Sequence, residues 1–459
     1  MQRREFIMGT NGTKNTSLFD LNGRPPLGKA APLSLQHVLA MLIGNISPAI
    51  ILSGAVGLNA EDSTILIQTC MFIAGIATLL QLYPIGGFGF RVGSRLPVIM
   101  GVSFAYVPTV LAIAGDYGIA GVLGAELIGG FVAILVGIFI KRLRKYFPPI
   151  VSGTVVLTIG LSLYPIAINY MAGGNGSPTY GALENWGIAI ITLLVVIICN
   201  NFTKGYFKLA SILVGIVVGY IISIFMGMVN FSAVGEAGWF ALPRPRYFGM
   251  EFNTTAIITM AIMYIVNSIQ AVGDLSATTA GGLDREPTDD ELSGGIVGNG
   301  IASIIGSFFG ALPTATYSQN VGIVALNKVV SRFVFAISAM VILLCGFIPK
   351  FGALMTTIPQ AVLGGATISV FALITMSGIK LIMQDELSAR NTSLVGLAVA
   401  LGMGTNMVPE SIAAFPKWFI DIFGSSPVII ATIIAFTLNI VLPKKTIAEE
   451  QKEREDMDQ

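Results

Sequence analysis

The segment 311–328, ALPTATYSQNVGIVALNK, lies between two apolar runs that are each long enough to cross a membrane. It contains Pro313, several hydroxyl side chains, the adjacent amides Gln319 and Asn320, and Gly322. A helix that only spans lipid does not contain so many hydrogen-bonding groups, because polar groups buried without partners cost free energy. The segment therefore predicts a broken span that lines a polar site inside a membrane protein.

The composition of the whole chain agrees with this prediction. Of 459 residues, 54% are hydrophobic and 11% are charged, against roughly 25% charged residues in an ordinary soluble domain. The 53 Gly and 21 Pro residues are typical of spans that pack closely and sometimes break. The net charge of +1 favours neither nucleic acid nor an acidic partner. We therefore expect a polytopic all-α membrane protein.

Fourteen segments qualify as spans, including short ones that break or lie inside protein. They lie near 33–54, 64–85, 96–113, 118–140, 149–170, 186–200, 207–230, 254–275, 294–310, 314–327, 332–349, 360–379, 392–408 and 426–442. Of the 26 Lys and Arg, 22 fall in the two termini or in loops after even-numbered spans. By the positive-inside rule, both termini are predicted to be cytoplasmic in a multi-pass protein of the plasma (inner) membrane.

The third and tenth spans begin alike. Leu96-Pro97 and Leu312-Pro313 are 216 residues apart, which is also the offset between positions 33 and 249, where the first span and the segment that leads into the eighth begin. This offset indicates two repeats of seven spans each. Because seven is an odd number, the second repeat enters the membrane from the opposite side, and the two repeats have inverted topology. The predicted organisation is a tail at 1–32, repeats at 33–230 and 249–442, and a second tail at 443–459. The first tail lacks the apolar core of a cleavable signal peptide.

Each of these two spans is predicted to start as a short extended segment and to continue as a half-helix. Proline removes a backbone donor and restricts the preceding residue, and the β-branched and aromatic residues that follow favour extended chain. Such backbone is tolerated at this depth only where it is buried in protein or lines a cavity. The N-termini of the half-helices then direct free N–H groups into that cavity.

A few polar or ionisable side chains lie inside the predicted spans, namely His37, Glu126, Asp274 and Asn299. Each is a functional candidate, because its burial in a membrane is costly. The alternatives are structural: a bond to a neighbouring helix for His37, helix packing for Glu126, and a clamp on the broken spans for Asp274. In the eighth span, Gln270 lies four residues before Asp274, which places both side chains on one helical face that points away from lipid.

Three motifs carry a family resemblance. Gln319-Asn320-Val321-Gly322 with Asn327-Lys328 resembles the signature Gln/Glu/Pro-Asn-x-Gly-x4-Thr-Arg/Lys/Gly, with Asn327 in place of Thr. The segment 269–278, IQAVGDLSAT, resembles a Glu-x-x-Gly-Asp motif, and 34–41, SLQHVLAM, resembles a first-span Gln-His motif. On these motifs, residues 30–442 resemble the nucleobase:cation symporter-2 family, also called nucleobase-ascorbate transporters, which includes xanthine, urate and uracil permeases.

The resemblance implies a fourteen-span fold of two inverted repeats, divided into core and gate domains and usually homodimeric. Substrate is expected between the third, eighth and tenth spans. The implied substrate-binding residues are Gln270 and Gln319 at the base edge, backbone around Ser103, Phe104 and Ser318, and Phe104 or Tyr106 as a stacking face. The implied core-shaping or coupling residues are Asn320, Asp274, His37, Asn299 and Glu126.

Two departures from the family bear on coupling. The family usually has a carboxylate at the position of Gln270, and often another at that of Asn299, and an amide does not take up a proton. Coupling then passes to Asp274 or Glu126, uses another cation such as Na⁺, or is absent. Gln319 is similar to the residue of the xanthine and urate branch, whereas an acid is common there in the uracil branch. We therefore expect a purine:proton symporter.

Other functions remain as alternatives. These are a uracil or other nucleobase permease, an uncoupled or Na⁺-driven carrier, an anion carrier or channel of the sulfate-transporter type, and a structural membrane protein. The sequence contains no arrangement typical of a catalytic site, a metal site or a phosphate loop, so we expect neither an enzyme nor a cofactor. The expected partners are a purine nucleobase, a proton or other cation, membrane lipid and a second copy of the chain, but no nucleic acid.

Overall fold

A computed structural model describes residues 16–87, 90–424, 426–443 and 446–457. The predicted N-terminal tail therefore lies partly outside the described residues. The first helices are α1 (Leu27–Val56), α2 (Ala60–Leu82), α3 (Val107–Leu143), α4 (Pro149–Met171), α5 (Leu183–Phe202), α6 (Tyr206–Leu209), α7 (Ser211–Phe225) and α8 (Ser232–Glu236). The others are α9 (Thr254–Leu283), α10 (Asp289–Phe309), α11 (Ser318–Asn327), α12 (Arg332–Cys345), α13 (Pro349–Thr356), α14 (Gln360–Ile382), α15 (Ala389–Met407), α16 (Lys417–Phe423), α17 (Pro427–Val441) and α18 (Ile447–Met457). Four short strands are β1 (Ile85–Gly87), β2 (Phe90–Val92), β3 (Met100–Val102) and β4 (Thr314–Thr316).

The predicted helical membrane fold is confirmed. Within the described parts of the chain, eight helices are long and apolar enough to cross a membrane, or up to ten if the pairs α12 with α13 and α16 with α17 each form one span. The helix α3 covers parts of two predicted spans and changes direction at Gly118, where φ is 66°, a conformation that favours glycine. The count of fourteen spans stays a prediction, because α7 and α11 are short.

The extended segments predicted at the two prolines are present and pair with each other. Strands β3 and β4 are antiparallel, with Gly101 opposite Ala315. The pairing continues beyond the strands through Ser103 N to Pro313 O at 3.0 Å and Tyr317 N to Ile99 O at 3.0 Å. Buried extended backbone thus finds its hydrogen bonds in the partner segment instead of in water.

Side chains of the first two helices satisfy the outer edge of β3. Asn45 Oδ1 of α1 accepts from Val102 N at 2.7 Å, and Thr78 Oγ1 of α2 accepts from Met100 N at 2.9 Å. A Cβ atom at Gly101 would lie 2.7 Å from Asn45 Oδ1. The strand therefore requires glycine at its centre, where α1 approaches closely.

The helices form two groups that face each other. Strands β3 and β4 lie among α1, α2, α3, α9, α10, α11 and α12, which contact one another. Helices α4, α5, α7, α14, α15 and α17 form the second group, in which α14 packs on α4. The contact is close because Gly378 of α14 lies against α4, where a Cβ would be 2.3 Å from Leu157 N. The two groups correspond to the predicted core and gate domains.

The first and last described segments of the chain contact the helical body. Helix α1 begins at Leu27, six residues before the first predicted span. The preceding segment is held by Val330 N, which donates to Leu18 O at 3.0 Å, and by Ser331 Oγ, which donates to Gly23 O at 2.7 Å. Near the other end, the Glu450 carboxylate of α18 accepts from Ala389 N at 2.9 Å. Residues 444, 445, 458 and 459 of the predicted second tail lie outside the described residues.

Candidate functional site

A cavity of about 250 Å³ lies where the two broken spans meet the gate group. One wall consists of β3, the 3-10 turn Phe104–Tyr106, α9, β4 and the start of α11, and the other consists of α4 and α14. The lining residues are Val102, Ser103, Phe104, Ala105, Val156, Ile159, Gln270, Thr316, Tyr317, Ser318, Gln319, Gly322, Leu373, Ile374, Ser377 and Lys380. The cavity is smaller than the roughly 300–1,000 Å³ of sites for drug-sized ligands, which suits a small ring system.

Two amide side chains from different helices line this cavity. Gln270 on α9 and Gln319 on α11 are both half-buried. The side-chain amide of Gln319 has no hydrogen-bond partner among the residues that the structure describes, whereas the Gln270 amide lies beside the Asp274 carboxylate. Since Ser318 and Gln319 are the first two residues of α11, their backbone N–H groups have no acceptor within the helix. The site therefore offers donors and acceptors side by side.

The Asp274 carboxylate joins three elements directly behind the cavity. It accepts hydrogen bonds from Thr316 Oγ1 of β4 at 2.5 Å and from Ser318 Oγ of α11 at 2.7 Å. Bonds to an ionised acceptor are stronger than neutral ones. The carboxylate also lies near the N-terminus of α11, where the helix dipole favours negative charge. Asp274 thus fixes the position of α11 and of Gln319 relative to α9.

Of the two predicted stacking faces, only Phe104 borders the cavity. Its ring lies 5.0 Å from that of Phe371 on α14, in an edge-on arrangement that links core and gate. Tyr106 points away, because the 3-10 turn rotates it into the core, where it is 1% exposed and its ring lies 5.0 Å from that of Tyr264. Tyr106 is therefore not among the residues that line this cavity, and the choice of Phe104 or Tyr106 as the stacking face stays a prediction. Ser103 does line the cavity, although its N–H is already bonded to Pro313 O.

His37 and Asn320 meet each other behind the cavity. Asn320 Nδ2 lies 3.1 Å from His37 Nδ1 and donates to His37 O at 3.1 Å. Two turns further along α11, Asn327 Nδ2 donates to Gln36 Oε1 at 3.2 Å. These bonds hold α11 on α1. Asn327, which stands where the family signature has Thr, therefore still makes a contact between the two helices.

Asn299 and Glu126 also lie outside the cavity lining. Asn299 Oδ1 accepts from Thr314 Oγ1 at 2.8 Å and so supports β4 from α10. Glu126 on α3 is 0% exposed and lies in the interior of the core group. The geometry therefore brings together Gln270, Gln319, Ser103, Phe104 and Ser318, with Asp274 directly behind them.

The sequence-based prediction missed Lys380 and Ser377, which approach the cavity from α14. Helix α14 extends to Ile382, whereas the predicted span ended at 379. Lys380 falls outside the predicted span because the apolar pattern stops at the first charged residue. Lys380 is an exposed residue and the one charged side chain among the residues of this lining.

Known proteins resemble the chain over most of its length. Residues 28–411 match the model of a family described as Permease family (Xan_ur_permease). The xanthine permease of Bacillus subtilis (strain 168) is 36% identical over 426 residues, covering 91% of this chain and 94% of the relative. The uric acid permease PucK of the same organism is 36% identical over 415 residues, covering 90% of this chain and 95% of the relative. These relatives are permeases and not enzymes.

A solved structure resembles the fold. The transmembrane domain of a cyanobacterium bicarbonate transporter, BicA, aligns with a TM-score of 0.57 at 20% identity, covering 82% of this chain and 94% of that domain. At this identity the likeness concerns the fold alone. It agrees with the division of the helices into core and gate groups.

Proposed function

Because this chain belongs to the nucleobase:cation symporter-2 family, we propose that it carries a purine base, xanthine or uric acid, across the plasma membrane in symport with a proton. The observation that carries this proposal is the pair of amides, Gln270 and Gln319, which face one small cavity at the junction of two broken spans. Each amide offers a donor and an acceptor, which match the adjacent N–H and C=O groups of an oxidised purine.

The remaining walls complete the recognition of a planar base. Phe104 supplies an aromatic face on the side of β3. The N–H groups at the start of α11 can bond carbonyl oxygens of the base, and Lys380 favours an electron-rich or anionic form. A binding site for uracil would need fewer contacts, and a site for a simple anion would not need two amides.

Transport follows from the position of the cavity between two groups of helices. Movement of the gate group relative to the core exposes the cavity first to one side of the membrane and then to the other. The Asp274 clamp keeps Gln319 in register with Gln270 during that movement. The asymmetric distribution of Lys and Arg supports cytoplasmic termini. A second copy of the chain is proposed to anchor the gate in the membrane.

The test is uptake of radiolabelled xanthine by cells that lack their own purine permeases. Unlabelled urate, guanine, hypoxanthine, uracil and sulfate serve as competitors, with and without a protonophore. We expect saturable uptake that purines inhibit and the protonophore abolishes. Uptake that persists with the protonophore would instead indicate an uncoupled or Na⁺-driven carrier. No purine uptake, or inhibition by uracil or sulfate alone, would overturn the proposed substrate.

A matched pair of variants tests the site itself. Gln319→Ala removes an amide that faces the cavity, whereas Asn201→Ala removes an exposed amide on α5. We expect weaker xanthine uptake in the first and wild-type uptake in the second. Equal uptake by both variants would place the substrate elsewhere.

A further inference from the structure

Glu126 is a carboxyl group deep in the core without a protein partner. Its side chain on α3 is 0% exposed, and neither carboxyl oxygen has a hydrogen-bond partner among the residues that the structure describes. None of the ion pairs found in the described chain includes it. Asp274, in contrast, is bonded by two hydroxyl groups.

Groups that interact with Glu126 come from several surrounding elements. The titratable ones are Cys70 on α2, Tyr106 on the 3-10 turn and Tyr264 on α9. From α10, Gly306 leaves space beside the carboxyl, since a Cβ there would lie 3.5 Å from Glu126 Oε1. Among the described residues, none of these neighbours carries a positive charge.

Two buried tyrosines lie close to Glu126. The rings of Tyr106 and Tyr264 are 5.0 Å apart, and their hydroxyls lie beside the side chains of Asn267 and Ser303, respectively. Tyr264 also packs over the turn that follows Glu126, because Gly129 has no side chain there. The three groups form one buried polar cluster, which we call the Glu126 cluster.

The electrostatics of this cluster favour a neutral carboxyl. An ionised carboxylate that is buried without a donor or a positive partner is costly, and such a group takes up a proton instead. In a membrane protein, ionisable groups of this kind mark ion or proton pathways. The neutral acid can release that proton when movement of the surrounding helices admits water.

A line of polar side chains leads from the cluster to the cavity. Along α9, Tyr264 is followed by Asn267, Gln270 and Asp274, at intervals of three or four residues that keep them on one face. Asn267 Nδ2 lies 3.5 Å from Thr314 O, and the Asn267 side chain also lies beside the Tyr106 hydroxyl. The cluster is therefore about two helical turns from the amide that faces the cavity.

The cluster lies on the side of the cavity that is remote from the start of α1. The loop before α9 contacts the start of α2, since Tyr247 OH donates to Asp62 Oδ1 at 2.8 Å. Tyr264 is nearer to this end of α9 than Gln270 is. With the predicted topology, this is the outer side, from which a proton must enter for uptake.

We propose that the Glu126 cluster is the proton-binding site of this transporter. It takes the role of the carboxylate that the family usually has at position 270, where this chain has the amide of Gln270. The Glu126 carboxylate takes one proton from hydronium at the outer side and returns it to water at the inner side in each cycle. The hydroxyls of Tyr106 and Tyr264, which do not bond the carboxyl in this structure, relay the proton once water enters the cluster. This inference rests on the proposed function, since it assigns the coupling proton of that transport.

The experiment uses the purified full chain in liposomes. Accumulation of radiolabelled xanthine is measured under an imposed pH gradient, inside alkaline, and exchange of internal for external xanthine is measured without a gradient. The variants are Glu126→Gln, which mimics the neutral acid, and Asp116→Asn, which removes an exposed carboxylate on the same helix. We expect Glu126→Gln to lose gradient-driven accumulation and keep exchange, whereas Asp116→Asn behaves like the wild type.

Infrared spectroscopy adds a measurement that does not depend on transport. The wild type should show the C=O band of a protonated carboxylic acid at neutral pH, and Glu126→Gln should lack it. Accumulation by Glu126→Gln at the wild-type level, or an unchanged band, would overturn this inference alone. If the wild type exchanges xanthine but does not accumulate it under the gradient, proton coupling itself fails, and the inference fails with it.

Discussion

Asp274 and Glu126 are both carboxyl groups in the core group of helices, yet their surroundings are opposite. Asp274 is 8% exposed, borders the lining of the cavity and accepts bonds from Thr316 and Ser318. Glu126 is 0% exposed and has no hydrogen-bond partner in the described parts of the chain. Donors stabilise an ionised carboxylate, whereas isolation stabilises the neutral acid. The contrast in surroundings is the reason why Asp274 acts as a clamp on the broken spans and why Glu126 is proposed as the proton carrier.

Removal of the clamp should have the largest effect. In Asp274→Ala, the hydroxyls of Thr316 and Ser318 lose a charged acceptor, and α11 is no longer fixed to α9. Hydrogen bonds to charged groups contribute about 1.5–3 kcal/mol each, so two of them correspond to roughly a hundredfold or greater loss of xanthine uptake. Initial uptake rates, corrected for the amount of protein in the membrane, measure this loss.

The control for the clamp is Asp116→Ala, which removes an exposed carboxylate and should leave uptake unchanged. The variant Asp274→Asn sharpens the comparison, since its oxygen still accepts from one hydroxyl and part of the activity should remain. Full activity in Asp274→Ala would show that the broken spans hold their geometry without this residue.

Gln319→Ala should give the second largest effect. The Gln319 side chain has no hydrogen-bond partner within the described chain, so we expect the variant to lose the proposed contacts with substrate without losing side-chain contacts that stabilise the fold. We expect xanthine to bind about tenfold more weakly, or ~1.4 kcal/mol, with an unchanged melting temperature. Equilibrium binding and thermal unfolding of the purified protein test both parts. A large drop in melting temperature would mean that Gln319 acts as part of the clamp.

The comparison also separates what sequence patterns can predict from what they cannot. The extended segments at 100–102 and 314–316 follow from the proline and β-branched residues at two equivalent spans, and the structure confirms them. The shared face of Gln270 and Asp274 follows from helical spacing. Local features of this kind depend on neighbours in sequence, so a single chain is sufficient to reveal them.

Contacts between residues that are distant in sequence were not predictable from local sequence patterns. The choice between Phe104 and Tyr106 depends on the 3-10 turn that contains both residues. The position of Lys380 depends on α14, which continues past the apolar pattern. The isolation of Glu126 results from side chains on several other helices, and no spacing within its own segment indicates it. These features require the packed structure.

Glu126→Gln should have little effect on the stability of the fold, although it is expected to abolish gradient-driven accumulation of xanthine. If the carboxyl is neutral, replacement by a neutral amide of similar shape alters the free energy of unfolding by less than about 1 kcal/mol. Asp274→Asn, in contrast, replaces a bonded charge and should lower the melting temperature. Thermal unfolding of both variants at neutral pH tests the contrast. A greater loss of stability in Glu126→Gln than in Asp274→Asn would indicate that Glu126 is ionised.

Asn327→Thr should have the smallest effect, because it restores the family residue at a position remote from both carboxyl groups. The variant loses the bond from Asn327 Nδ2 to Gln36 Oε1, worth about 0.5–1.5 kcal/mol. Helix α11 remains on α1 through Asn320 and His37, so xanthine affinity should change by less than about twofold. A large loss of affinity would show that this single amide bond, rather than the Asp274 clamp, sets the position of α11. Measurement of the double variant with Asp274→Asn then decides between them, since independent contacts give additive losses and a shared role does not.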